Sequence, residues 1–238
     1  MRKLLSCILL FISLACNAQT IEFVVSASAG GPNDNVTRKV LDKLKEHGNI
    51  TGIVVNKPGG AHTVAYSYVL NSNKPTVIIE TSEVENHEVI KDLQDIHSLG
   101  NFYNTLFVSE KSGIKSIAEL KRKNTVMFGH GGYGSFSYKA MQQLCTTQLS
   151  CTDIPYKSSA EGMLALATGD IDAYAIVSYG SKQFLDNPRY VAIHSIKFDK
   201  NKSWYKVFGK NLTNKEIDTI KKVLVSLPQP FYKDLGLE

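Results

Sequence analysis

Past its first twenty residues, the 238-residue chain has no apolar run near the roughly twenty residues that carry a helix across a bilayer. No serine is framed as G-x-S-x-G, the strand-to-helix elbow of the α/β-hydrolases. Histidines at metal-ligand spacing are missing around the cysteines, and no carboxylates stand paired as a recognisable acid and base. There is no clustered basic stripe of the kind nucleic acid demands, and no internal repeat or low-complexity segment. These gaps argue against a helical membrane protein, a metal site, a nucleic-acid partner and a motif-bearing hydrolase. No cofactor is implied.

What the chain does have begins with "MRKLLSCILLFISLACNAQT". A basic head (Arg2, Lys3), an apolar run from Leu4 to Ala15 and the small-residue end Cys16-Asn17-Ala18 read as a signal peptide over residues 1–18. Lipid anchoring at Cys16 is the alternative fate of the same leader, although Ser13 stands where a lipobox normally has Leu. Either way the chain is exported. Losing Arg2 and Lys3 lowers the formal charge from +5 to +3, a mild excess that slightly attracts small anions. Of four cysteines, Cys145 and Cys151 lie outside the leader region; six residues apart in an oxidising compartment, they are expected to form a disulfide.

Apolar runs alternate with amphipathic ones. Strands are expected at "IEFVVSA", "GIVVN", "PTVIIET", "NTLFVSE", "TVMFG", "CTDIPYK", "IDAYAIVS" and "RYVAIHSI". A helix from Pro32, with Val36, Val40, Leu41 and Leu44 on one face, is expected to stop at Gly48. Further helices follow Ala61, Ser135 and Ser159, a polar helical segment precedes Asn104, and Thr213 with Glu216 forms a capping box ahead of a helix that Pro228 ends. Strands alternating with helices indicate an α/β fold with largely parallel sheets, whose strand carboxyl ends share one side where ligands bind.

Two loops share one construction: strand, glycine-rich turn, helix start. They are "SASAGGPND" (26–34) and "GHGGYGS" (129–135). Glycine permits close backbone approach and positive φ, so successive N–H groups can converge on an anion, and the helix start adds unpaired donors. Neither loop contains Lys or Arg, which favours a compact anion such as a carboxylate over a polyphosphate. Gly129, Gly131 and Gly134 also fit G-x-G-x-x-G with Asp153 downstream, but Pro155 and the exported context speak against a dinucleotide. "HGGY" at 130–133 is like an oxyanion-hole segment but lacks its nucleophile, and His62 and His130 have no evident partner in sequence. Lys157 is either the counter-charge for a second carboxylate or a solvated lysine. Tyr133, Tyr156 and Tyr179 either wall the ligand or pack the core, and Phe136 reads as core.

The succession "VVSASAGGPNDNVTRKV", "VVNKPGGAHTVAYSYV", "FGHGGYGSFSYKA", "IPYKSSAEGMLALATGDIDA" resembles the solute-binding proteins of tripartite tricarboxylate transporters, the Bug family, from about Ile21 to the carboxyl terminus. The resemblance implies a type II periplasmic-binding-protein fold: two α/β lobes, residues 20–101 plus 189–238 and residues 102–188, with a ligand cleft between them. It implies a periplasmic, monomeric binder, not an enzyme, that delivers a small carboxylate to a two-subunit membrane permease. A ligand sensor for a membrane receptor and an exported hydrolase are the rival readings. The implied ligand residues are Ala29, Gly30, Gly31, Asn33 and Asp34; Ser82; His130, Gly132, Tyr133, Gly134 and Ser135; and Tyr156, Lys157 and Ser158. His130 and Tyr138 stand where the family more often has Ser and His, Ser158 replaces a usual glycine, and "PDGYT" is reduced to "NKPT".

Overall fold

Strand β1 (Ile21–Val25) shows no alternation: all five residues are buried, as expected of an inner strand covered on both faces. It pairs in parallel with β2 (Gly52–Asn56) on one side and β3 (Thr76–Thr81) on the other. The computed structural model describes residues 20–81, 91–133, 135–197 and 204–237. The expected leader, Cys16, Ser82 and Gly134 lie outside them.

Helix α1 (Pro32–Gly48) joins β1 to β2 and buries Val36, Val40, Leu41 and Leu44. The helix includes Gly48, and its terminator is Asn49, which adopts the left-handed conformation (φ 51°) and donates its N–H to Leu44 O. Asparagine tolerates that region almost as glycine does, so the stop falls one residue later than expected. Helix α2 (Thr63–Asn71) then leads to β3.

The first sheet runs β2-β1-β3-β10-β4, where β4 is Gln94–Asn101 and β10 is Trp204–Lys210. β10 is antiparallel to both neighbours. Of the segment expected to be a polar helix before Asn104, the described residues from Gln94 to Asn101 are strand β4. Its buried residues Leu93, Ile96 and Leu99 recur every third position, which mimics a helix; two register shifts against β10 accommodate that spacing in a strand.

The second sheet runs β7-β6-β8-β5-β9: β5 (Tyr103–Ser109), β6 (Val126–His130), β7 (Cys151–Pro155), β8 (Ala173–Val177) and β9 (Tyr190–Lys197). β6 is parallel to β7 and β8, whereas β5 is antiparallel to β8 and β9. Both sheets are therefore mixed rather than largely parallel, and neither has the extended parallel order of a dinucleotide-binding domain. β9 pairs with β5 in the second sheet, so the chain does not return to the first sheet at residue 189; it returns at β10.

The short α3 (Ile117–Leu120) precedes β6, and α4 (Phe136–Thr147), α5 (Ser159–Thr168) and α6 (Ser178–Leu185) follow β6, β7 and β8. Phe128, Ala140, Leu144 and Ala175 pack together in the second lobe. The Cys145–Cys151 disulfide joins the end of α4 to β7 across a Cα separation of 5.7 Å. At the carboxyl terminus α7 (Asn214–Ser226) starts at the expected Thr213–Glu216 capping box and packs Ile217, Ile220 and Leu224 onto the first core; α8 (Gln229–Asp234) follows. Tyr179 of α6 stacks on Tyr205 of β10 at 4.7 Å, and Asn104 Nδ2 donates to Phe136 O at 3.0 Å. A side chain at Gly180 would collide with Pro32, so α6 lies close against the start of α1. Among the described residues no helix is long and apolar enough to cross a membrane.

Candidate ligand site

The first loop leaves the end of β1. Gly30 takes φ 78°, and its N–H donates to Asp34 Oδ2 at 2.9 Å; the Gly31 N–H donates to Ser28 O at 3.1 Å. Asp34, buried at the start of α1, also accepts from Arg38 Nε (2.8 Å) and Nη2 (3.0 Å) and from Asn56 Nδ2 (2.9 Å). Burial pushes the Asp34 carboxyl up, but Arg38, the Gly30 N–H and Asn56 together outweigh it and hold the group below the usual carboxylate range. Asp34 thus braces the loop from inside. Ala29 and Gly30 stand exposed at its tip.

Beneath the loop lies a polar cluster that sequence reasoning missed. Glu80, one residue from the end of β3 and 1% exposed, accepts through Oε1 from Ser26 Oγ and from Asn33 Nδ2 (3.1 Å). His62 Nδ1 sits 2.7 Å from Ser26 Oγ and 3.5 Å from Glu80 Oε1. Glu80 Oε2 is buried and has no hydrogen-bond partner among the described residues. The available signal was a lone charge inside the apolar run "VIIET". Serine, histidine and glutamate suggest a nucleophile triad, but the geometry is not one: Ser26 Oγ and Glu80 both meet the same ring nitrogen, and Ser26 donates directly to Glu80. The imidazole cannot relay a proton from serine through its other edge.

The second loop leaves β6. His130 is fully buried; its Nδ1 accepts the Gly132 N–H at 3.1 Å, and its Nε2 lies 3.5 Å from Asp153 Oδ2. The Gly131 N–H donates to Ser137 Oγ at 2.8 Å. Ser135 caps α4, accepting the Tyr138 N–H at 3.2 Å and donating to Gly132 O at 2.7 Å, while Gly132 takes φ 95°. The glycine amides are thus organised by side chains, and helix geometry leaves the first-turn N–H of Ser137 without an intrahelical acceptor. Exposed Tyr133 donates its hydroxyl to Asp153 Oδ2 at 3.2 Å, a bond that raises the phenol's pKa.

β7 brings in the third segment. The Tyr156 N–H donates to His130 O at 2.8 Å, which docks this segment beside the second loop. Ser158 caps α5, accepting the Glu161 N–H at 3.2 Å, and the Lys157 N–H donates to Glu161 Oε2 at 3.0 Å; the Lys157 side chain is exposed. Of the candidate aromatic wall, Phe136 packs edge-on against Phe102 at 4.8 Å and Tyr179 belongs to the Tyr205 stack, so both serve the core.

Two mixed α/β lobes with glycine-bearing strand-to-helix turns define a type II periplasmic-binding-protein architecture. Solved structures agree on the fold. The periplasmic binding protein BugD is similar with a TM-score of 0.75 at 19% identity, covering 91% of this chain and 87% of that one. MatC from Rhodopseudomonas palustris, solved with bound malate, matches at 0.73 and 17% identity over 91% and 88% of the two chains. An R. palustris protein solved with adipate matches at 0.73 and 19% identity over 86% and 81%. No curated protein matches the sequence. The model of the tripartite tricarboxylate transporter family receptors matches residues 36–201, and the chain belongs to that family.

Proposed function

We propose that the chain is an exported, periplasmic receptor that captures a small di- or tricarboxylate between its lobes and presents it, as a monomer, to a two-subunit membrane permease. The observation that carries this reading is the pairing of two glycine-bearing turns, one in each lobe, each leaving a strand end, opening a helix and lacking Lys and Arg. Family membership and the malate and adipate held by two structural neighbours support the same ligand class. The lobes in this reading are residues 20–101 with 204–237, and residues 102–197. Ala29, Gly31, Gly132, Tyr133 and Tyr156 flank the solute, with the first-turn N–H groups of α1 and α4 aimed at its carboxylates.

The magnitudes are sufficient. Charge-assisted hydrogen bonds contribute about 1.5–3 kcal/mol each, and a micromolar complex needs about 8 kcal/mol net of ordering costs, so four to six donors closing over one small acid are enough. The off-relay arrangement of Ser26 and His62 supports binding without turnover. A thermal-shift series with mono-, di- and tricarboxylates tests this: at least one di- or tricarboxylate stabilises the protein by several degrees. No stabilisation by any of them, or turnover of ester or amide substrates, contradicts it.

A further inference from the structure

His62 stands where side chains seldom do. It ends the turn Gly60–His62 and precedes α2 with φ 78°, following Gly59 and Gly60, which also have positive φ. Outside glycine this conformation is uncommon and strained, and it persists where the surroundings impose it. Here it holds the imidazole against Ser26 and Glu80 through Nδ1 while 29% of the side chain stays exposed. Glu80 is almost wholly enclosed, and its Oε2 lacks a donor among the described residues. An enclosed carboxylate short of donors is strongly unfavourable unless a cation faces it, and the imidazole is in place to do so.

We propose that His62, clamped by Glu80, is the cationic contact for the captured carboxylate: Nδ1–H faces Ser26 and Glu80, and Nε2–H, on the partly exposed edge, donates to the solute. The inference rests on the carboxylate-capture reading above and adds to it the charge that both glycine loops lack. The Glu80 charge on β3 raises the His62 pKa above its usual value; burial and the Lys139 charge on α4 oppose it without cancelling it. Among the described residues, the other titratable groups around Glu80 are the phenols of Tyr66, Tyr179 and Tyr205, which burial first and the Glu80 charge second or later keep neutral. Binding therefore tightens as pH falls through the raised His62 pKa, and by reciprocity the bound acid raises that pKa further.

The test titrates malate, adipate and citrate into the full mature chain between about pH 6 and 8.5, across the histidine range, with the His62 imidazole followed by NMR in the same samples. His62→Asn keeps a residue that tolerates the left-handed backbone, and comparison with it cancels each acid's own ionisation. The wild type is expected to lose about tenfold more affinity over this range than His62→Asn, and Glu80→Gln to lower the imidazole midpoint. Equal pH slopes in wild type and His62→Asn, with binding intact, overturn the proposal and leave carboxylate capture standing. So does a wild-type imidazole midpoint at or below the ordinary histidine value, which needs no variant to fold. Failure of all three acids to bind the wild type at any pH defeats the capture reading itself, and this proposal with it.

Discussion

Asp34 shows how a single side chain sets a loop. Its two oxygens gather a glycine amide, a guanidinium and an amide side chain from three points along the chain. Asp34→Ala is expected to lower stability by about 2–3 kcal/mol in urea titration, because hydrogen bonds to an enclosed charge are lost together. Its folded pKa is depressed, so this contribution is present above the unfolded carboxylate value and is lost as pH falls through the folded one. His62 has the opposite sign: its raised pKa adds stability below the ordinary histidine value, lost as pH climbs through the folded one. A Cβ at Gly132 meets nothing within 4 Å, yet Gly132→Val imposes a left-handed backbone on a branched residue; it should cost about 1–2 kcal/mol while the fold survives and carboxylate binding is lost. An unchanged melting temperature in that variant would remove the strain argument. At this scale the glycines were legible because positive φ writes itself into residue choice. Ser26, Glu80 and His62 were not, because their meeting depends on contacts 36 and 54 residues apart in the chain.

Helices advertised their own ends. Thr213 and Glu216 exchange both capping bonds, and Gly169 closes α5 in the left-handed region. Thr213→Ala is expected to cost about 1 kcal/mol, read as a shift in the urea midpoint with an unchanged slope. The Cys145–Cys151 bridge closes a small loop between α4 and β7, for which chain entropy gives about 2 kcal/mol. Reduction should lower the melting temperature by that equivalent and leave carboxylate binding intact; loss of binding on reduction would tie the bridge to the site. Strands were harder to read. β4 carries a three-residue apolar spacing that only its bulged pairing with β10 explains, and β10 enters the first sheet from more than a hundred residues downstream of β4. No local pattern specifies such a partner.

At the scale of the molecule, two mixed sheets are joined where the stack of Tyr179 on Tyr205 and the edge contact of Phe102 with Phe136 bring α6, β10 and α4 together. The alternation of strands and helices made the α/β class legible, and the family resemblance implied the two lobes; the antiparallel direction of β5, and β10 as a strand at all, were not legible, since pairing partners and chain direction leave no mark on local composition. A receptor of this plan works because ligand favours the closed arrangement only through contacts with both lobes. Backbone amide NMR during titration with a di- or tricarboxylate tests that claim most directly. Resonances of Ser28 to Gly31 and of Asn33 in one lobe and of Gly132, Phe136 and Ser137 in the other should shift together along a single saturable isotherm; shifts confined to one loop, or following two different isotherms, would contradict a shared grip.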